Sequence, residues 1–388
     1  MTGSRLTPLA MLERLVAFDT VSHKSNLPLI DFVADYLRGW SIESIRIPDA
    51  SGTKAALFAT IGPRNAGGVV LSGHTDVVPV EGQNWSSDPF SLRVDNGNAY
   101  GRGAVDMKGF CALALALVPE FLEADLARPI HLFLSYDEEI NCMGVLGGIA
   151  RFGQDLPQPI AVIVGEPTDL KVADAHKSIL SMTTTVHGRE AHSSRPAQGA
   201  SAIDAAVKLA GELMRMAEDY AALGDASGRF DPPCSTIHIG RIEGGTARNI
   251  VANRCSLLWE VRGLPDLDAE ALLARFKAFG EQEVLPAMRV SAPEARIETV
   301  FDNMVPGLMP RSGSYAETLA LRLAGQNSTV TVPYGTEAGH FQAADVPTVV
   351  CGPGSIRRAH QADEYITLDE LEAGAGFLRR LAQELRQI

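Results

Sequence analysis

The sequence predicts an α/β protein whose mostly parallel sheet is interrupted by an inserted α+β segment. Three observations carry this reading. Over residues 6–176, apolar runs of strand length alternate with longer helical patterns, as in a sheet covered by helices. Over 177–303 the pattern becomes strand, helix, strand, strand, helix, strand, a ferredoxin-like order. Beyond 304 the first kind of pattern resumes. The expected division is therefore 1–176, 177–303 and 304–388, with the outer parts forming one domain. A chain of 388 residues that is 46% hydrophobic also exceeds the roughly 250–300 residues at which one core stops growing.

Taken in order, four short apolar strands at 68–72, 130–135, 160–164 and 348–351 each run directly into polar residues. Functional groups in open α/β sheets collect beyond the carboxyl ends of strands, so these ends locate the chemistry. Within the insert, strands are expected at 179–186, 236–241, 255–262 and 296–301, and helices at 200–213 and 267–279. A Gly-, Ala- and Asp-rich stretch at 219–233 reads as a surface loop. After the insert, 314–324 reads as a helix, the neighbourhood of Val330 as a strand, and 368–385 as a closing amphipathic helix.

Lys and Arg number 34 against 47 Asp and Glu, a net charge of -13. The acidic residues are scattered, which argues against nucleic acid or an anionic membrane as partner. The opening residues lack a basic leader with an apolar run, and no stretch of about 18 apolar residues occurs, so a cytoplasmic protein is expected. Cys111, Cys142, Cys234, Cys255 and Cys351 are odd in number and widely separated. Neither a disulfide framework nor a thiolate zinc site is indicated, so any metal must use His, Asp and Glu.

The first strand runs into Gly73-His74-Thr75-Asp76. Residues i and i+2 of an extended segment face one side, so Asp76 is placed to accept a hydrogen bond from the second ring nitrogen of a metal-bound His74. Alone, His-x-Asp is a weak signal that reads first as a satisfied structural histidine. Asp106 precedes a helix starting near Lys108, and an Asp there is more often an N-cap than a ligand. Asp137-Glu138-Glu139 closes the second strand, and consecutive carboxylates repel one another unless solvated or neutralised by a cation. Glu166 ends a third apolar run, where a surface turn is the ordinary explanation, and His360 follows the fourth strand.

Each segment has a bland reading, but their coincidence at one sheet edge is much rarer than any one of them. Zinc accepts His nitrogen and carboxylate oxygen, whereas an all-oxygen shell suggests magnesium or calcium. Two histidines and three ligating carboxylates exceed one open zinc and suit two ions sharing an aspartate. Such ions sit about 3.5–4 Å apart and bring a shared water to a pKa near ~7.

The motifs Ser72-Gly73-His74-Thr75-Asp76-Val77-Val78-Pro79, Gly101-Arg102-Gly103-Ala104-Val105-Asp106-Met107-Lys108-Gly109, Asp137-Glu138-Glu139, Gly165-Glu166-Pro167-Thr168, Ala191-His192-Ser193-Ser194 and Gly352-Pro353-Gly354-Ser355 together resemble the di-zinc aminoacylase and carboxypeptidase family, and within it the acetylornithine deacetylase group. The resemblance spans essentially the whole chain. It implies a zinc-peptidase-like catalytic domain with an inserted dimerisation and lid domain, a homodimer, and two zinc ions per subunit, with cobalt a plausible substitute. By the same resemblance, His74, Asp106 and Glu166 hold one ion, and Asp106, Glu139 and His360 the other. Asp76 orients His74. Glu138 is the general base that takes a proton from the bridging water and returns it to the leaving amine, and a cis peptide follows Asp106. His192 matches a histidine that relatives place in the partner's active site to donate to the oxyanion.

Asn249 and Arg262 fall where relatives contact substrate, although a strand-end arginine explains Arg262 equally well. Lys177 lies near a position where some relatives carry an arginine. Tyr334-Gly335-Thr336-Glu337-Ala338-Gly339 resembles the acetylornithine group, so Gly335, Thr336 and Glu337 are candidate substrate contacts. Glu337 either faces a cationic amine or is an ordinary helix N-terminal glutamate. The activity expected is hydrolysis of N2-acetyl-L-ornithine to L-ornithine and acetate in arginine biosynthesis. The alternatives are desuccinylation of succinyl-diaminopimelate, acetylcitrulline or general N-acyl amino acid deacylation, dipeptide cleavage and, remotely, a non-catalytic ligand-binding relative. That last class shows broken ligand sets, whereas every expected position is filled here.

Overall fold

The protein is described from a computed structural model covering residues 3–64 and 67–386. It comprises two compact units: one within Met1–Ala175, Leu308–Thr331 and Thr336–Ile388, the other formed by His176–Gly307 with Val332–Gly335.

The first unit is built on an eight-stranded sheet in the order Ser44–Pro48, Ala55–Ile61, Ile130–Ser135, Val69–His74, Ala161–Pro167, Thr348–Gly352, Ala173–His176, Val330–Val332. The four central strands, Ile130–Ser135 to Thr348–Gly352 in that order, are mutually parallel. The neighbours Ala55–Ile61 and Ala173–His176 run antiparallel to them. Every residue of the four parallel strands is buried, and burial on both faces explains why they read as continuous apolar runs.

One sheet face, with Leu71, Leu132, Leu134 and Ile163, joins the main core with the helices Pro8–Val16, Lys108–Ala116, Tyr315–Ala324 and Leu368–Arg386. The other carries Phe58 and Phe133, which meet Phe152 and Phe341 edge-on or stacked at ring separations of 5.8 to 6.2 Å. Helix starts are capped as composition suggests: Thr7 and Ser314 accept the N–H groups of Ala10 and Glu317. Among the described residues no helix is long and apolar enough to cross a membrane.

The second unit has a four-stranded antiparallel sheet in the order Thr236–Gly244, Arg254–Gly263, Ser178–His187, Arg296–Val305. Alternate residues Leu180, Met182, Leu257, Trp259 and Val261 form a core with the helices Ala202–Leu223 and Ala269–Phe279. The first helix runs on through Asp219–Leu223, part of the stretch expected to be loop, because Ala221, Ala222 and Leu223 are strong helix formers. Gly224, at φ +65, ends it.

Candidate metal centre

The four parallel strands all end at one edge of the sheet, and the candidate residues follow. Val69–His74 terminates in His74, whose ring is fully buried. Its Nδ1 lies 2.9 Å from the main-chain oxygen of Asp76. A carbonyl only accepts, so Nδ1 carries a proton and Nε2 is the ring atom turned to the cluster, where its lone pair is free for a metal once the ring is neutral. Nε2 lies 3.2 Å from Asp106 Oδ1, 3.7 Å from Glu166 Oε1 and 3.9 Å from Glu138 Oε2.

The partner for Nδ1 differs from the i, i+2 expectation. The Asp76 carboxylate is 3.6 Å from the ring and is engaged elsewhere, accepting the N–H groups of Glu138 and Glu139 at 3.2 and 3.3 Å and the Ser22 hydroxyl at 2.6 Å. Asp76 thus braces the turn that carries the two glutamates.

That turn starts at Asp137, in the left-handed region at φ +59, and forms the short helix Glu138–Asn141. Lys54 holds it from below, paired with the Asp137 carboxylate and donating to the Ser22 carbonyl at 2.5 Å. Glu138 and Glu139 therefore enter the cluster from a turn fixed at both its amides and its first side chain.

Asp106 does not cap the helix Lys108–Ala116, whose N-cap is Met107 without a side-chain bond. Instead its two carboxylate oxygens face two histidines, Oδ1 to His74 at 3.2 Å and Oδ2 to His360 at 3.3 Å. The Asp106–Met107 peptide is cis. His360 Nε2 also lies 3.0 Å from Glu139 Oε2, on a half-exposed side chain. Glu166, in Ala161–Pro167, is 3% exposed.

The carboxylates of the cluster crowd one another in a buried site. Burial pushes the carboxyls of Glu138 and Glu166 well above the ordinary range, aided by their neighbours' negative charge, and pushes Glu139 up to about 7. Burial also disfavours a charged His74, but the surrounding carboxylates, Asp106 first, outweigh it and hold the imidazole well above its ordinary value. Hydrogen bonds to Asp106 and Glu139 raise His360 to about 10. Such a cluster is neutralised either by protons or by metal ions. Glu139 Oε1 and Glu166 Oε1 are buried without hydrogen-bond partners, as suits oxygens that coordinate. Ligand atoms of His74, Asp106 and Glu139, and separately of His74, Glu138 and Glu166, lie within 4.8 Å of one another. A donor set of imidazole nitrogen and carboxylate oxygen fits divalent metal.

The amino-acid sequence matches the description of peptidase family M20/M25/M40 over residues 70–384. The chain belongs to this family. It is a metal-dependent hydrolase of the M20 type. Two similar proteins bear the name acetylornithine deacetylase: that of Pasteurella multocida, 32% identical over 96% of both chains, and that of Proteus mirabilis, 33% identical over 92% of this chain and 89% of the other. The same M20 fold is found in a metallo-carboxypeptidase of Sulfolobus solfataricus (TM-score 0.76, 16% identity, 99% and 100% of the two chains). A dinuclear metal-binding peptidase of Bacillus subtilis shares it as well (TM-score 0.69, 15% identity, 98% of both chains).

Among the expected substrate contacts, one needs correction. Lys177 is 1% exposed and donates to the carbonyls of Pro232 and Cys234 at 2.8 and 2.7 Å, so its ammonium ties down a loop. Glu337 is 1% exposed, accepts from Ser72 at 3.4 Å and is pushed by burial up to about 7. It stands at the N-terminus of the helix Ala338–Ala343, the second of the two readings expected for it.

Thr336 is likewise buried, its hydroxyl accepting the Ala338 N–H at 3.0 Å. A Cβ at Gly335 would stand 2.7 Å from Ile179, so close packing explains that glycine. Arg262 shares a half-exposed pair with Glu260 at 3.2 Å. Asn249 is exposed, and its carbonyl accepts the Ser193 N–H beside His192. The Ser194 N–H points at His192 Nδ1 at 3.2 Å. An N–H only donates, so Nδ1 accepts and the exposed neutral ring carries its proton on Nε2.

Reading the sequence misses Ser22, Lys54, Gln83 and Glu364. They support the site from positions that carry no motif. Arg102 stands inside Gly101-Arg102-Gly103, where only the motif hints at a role.

Proposed function

We propose that this M20 hydrolase removes the acetyl group of N2-acetyl-L-ornithine, yielding L-ornithine and acetate, and that it does so in the cytoplasm as a step of arginine biosynthesis. The observation that carries the substrate is the pair of relatives named acetylornithine deacetylase, matched over about nine-tenths or more of both chains. The reaction class is supported by Asp106, whose two oxygens face two histidines, and by Glu138, whose carboxylate lies 3.9 Å from His74.

In this reading His74, Asp106 and Glu166 hold one zinc and Asp106, Glu139 and His360 the other, with cobalt able to substitute. When bound, the two ions acidify the attacking water and polarise the acyl carbonyl. Glu138 Oε2, 3.9 Å from His74 Nε2, takes the water's proton as its oxygen adds to the carbonyl carbon, and returns that proton to the leaving nitrogen as the C–N bond breaks. His192 offers its Nε2–H to the developing oxyanion from a second copy of the chain.

Arg262 binds the α-carboxylate by exchanging its partly exposed Glu260 partner, an exchange that costs little, and Asn249 adds a polar contact. A homodimer is supported by Ile203, Val207 and Met214, an exposed apolar row on the helix Ala202–Leu223. Ile242, on the edge strand Thr236–Gly244, is exposed as well.

A substrate panel tests the proposal. Zinc- or cobalt-loaded protein should cleave N2-acetyl-L-ornithine in preference to succinyl-diaminopimelate, acetylcitrulline, other N-acyl amino acids and dipeptides. Intact acetylornithine alongside cleavage of another member would overturn the substrate assignment.

A further inference from the structure

A polar network that the chemistry above does not use, centred on the buried pair Arg102 and Glu364, joins the loop of Asp106 to the loop of His360. Glu364 and Arg102 are each 1% exposed and are paired at 2.6 Å. The other Glu364 oxygen accepts the main-chain N–H groups of Val105 and Asp106 at 3.0 and 3.1 Å. Arg102 further donates to the Gln361 carbonyl at 3.3 Å and to the Gln83 side-chain oxygen. Trp85 donates to that same oxygen at 3.1 Å, with its ring 5.0 Å from the guanidinium. Two donors on one side of the Gln83 amide fix its orientation, and its NH2 group donates to the main-chain oxygen of His360 at 2.9 Å. Close by, the N–H and hydroxyl of Ser86 both donate to Asp363, at 3.0 and 2.7 Å.

The segment 83–86 is therefore a strap across 360–364, fastened at both ends. His360 needs one. Its backbone is left-handed at φ +61 and its side chain is 51% exposed, so its own packing does little to aim the ring. His74 is held quite differently, at the end of a buried strand and by the Asp76 carbonyl.

Building on the ligand assignment proposed above, we infer that Gln83 and Ser86 are positioning residues for the metal position formed by Glu139 and His360, leaving His74 and Glu166 to be set independently of this strap, while Arg102 and Glu364 hold the loop of Asp106, the ligand that both positions share. Supports of this kind typically alter metal affinity by about 10- to 100-fold. Selectivity for one of two positions separates the inference from a general loss of fold.

The test is a titration of the metal-free full-length protein with Co2+, following visible absorption and counting bound ions. Gln83→Leu and Ser86→Ala, each of which leaves the buried Arg102–Glu364 pair intact, are compared with His360→Ala, which marks the phase belonging to the second position. The expected result is that Gln83→Leu weakens that phase about 10- to 100-fold, that Ser86→Ala weakens it less, and that the other phase and the melting temperature are unchanged. Equal weakening of both phases, or no change in either, overturns the inference while leaving the two-metal reading intact. Fewer than two ions in the unsubstituted protein overturns both.

Discussion

The carboxylate of Asp76 accepts the main-chain N–H of Glu138 at 3.2 Å. A residue two places from the histidine thus acts on the other side of the site, holding the turn that aims the glutamates. His74 donates its own hydrogen bond to the Asp76 main-chain carbonyl, a contact no substitution at that position removes. Asp76→Asn, which keeps an acceptor for the turn, should retain both metals and lose little turnover. Asp76→Ala should lose about 10- to 100-fold in turnover. Measuring kcat and metal content side by side separates these outcomes, and metal loss in Asp76→Asn would restore the carboxylate-to-imidazole account.

Lys54 bears on the same turn through Asp137. The two side chains are 14% and 19% exposed, so removing one partner leaves a charge poorly solvated. Lys54→Met is expected to lower unfolding stability by about 2 kcal/mol and to reduce kcat more than it changes KM. Chemical denaturation together with steady-state kinetics checks both, and an unchanged kcat would remove Lys54 from the account of how Glu138 is aimed.

Glu138 stands near His74 and Glu166 at ligand distance, yet it is assigned here as a base. The two roles part company in Glu138→Gln. A base loses about 10²- to 10⁴-fold in kcat with two metals still bound, whereas a ligand loses metal. Metal counting on the purified variant decides between them.

His192→Ala should reduce kcat by about 10²- to 10³-fold if its Nε2–H stabilises the oxyanion. Mixed with Glu138→Gln under conditions that exchange subunits, it should recover about one quarter of the wild-type sites, because half the dimers are mixed and each mixed dimer has one complete site. No recovery despite demonstrated exchange would place His192 outside the partner's chemistry.

His131 offers a test of the fold itself. It is fully buried against Phe58, and burial lowers its imidazole from 6.5 to about 4. Between those values the unfolded chain binds a proton that the folded chain does not, so stability falls as pH drops from about 6.5 to about 4 and this contribution levels off below. At 1.36 kcal/mol per unit the loss is roughly 3 kcal/mol. Denaturation of metal-free protein at about pH 7 and about pH 4 should show His131→Leu losing less than wild type by that order. Equal losses would mean that the ring is charged or hydrated in the folded state.

Much of this architecture is legible in the chain because its chemistry is local. Strands buried on both faces leave unbroken apolar runs, and the residues just past them are the cluster. Ser44–Pro48 is not legible, because it buries only Ile47 and shows little alternation. Supports such as Arg102 with Glu364, or Lys54 with Asp137, are separated by 262 and 83 positions, and no spacing rule reaches that far. Lys177 misleads for a related reason: a charge beside a motif says nothing of whether the fold encloses it.

The most direct measurement is the number of divalent ions bound per chain, set against hydrolysis of N2-acetyl-L-ornithine before and after chelation. Two ions per chain are expected, with fewer in Asp106→Asn, and activity lost to a chelator should return with Zn2+ or Co2+. Undiminished hydrolysis in protein retaining less than one ion per chain would contradict the account.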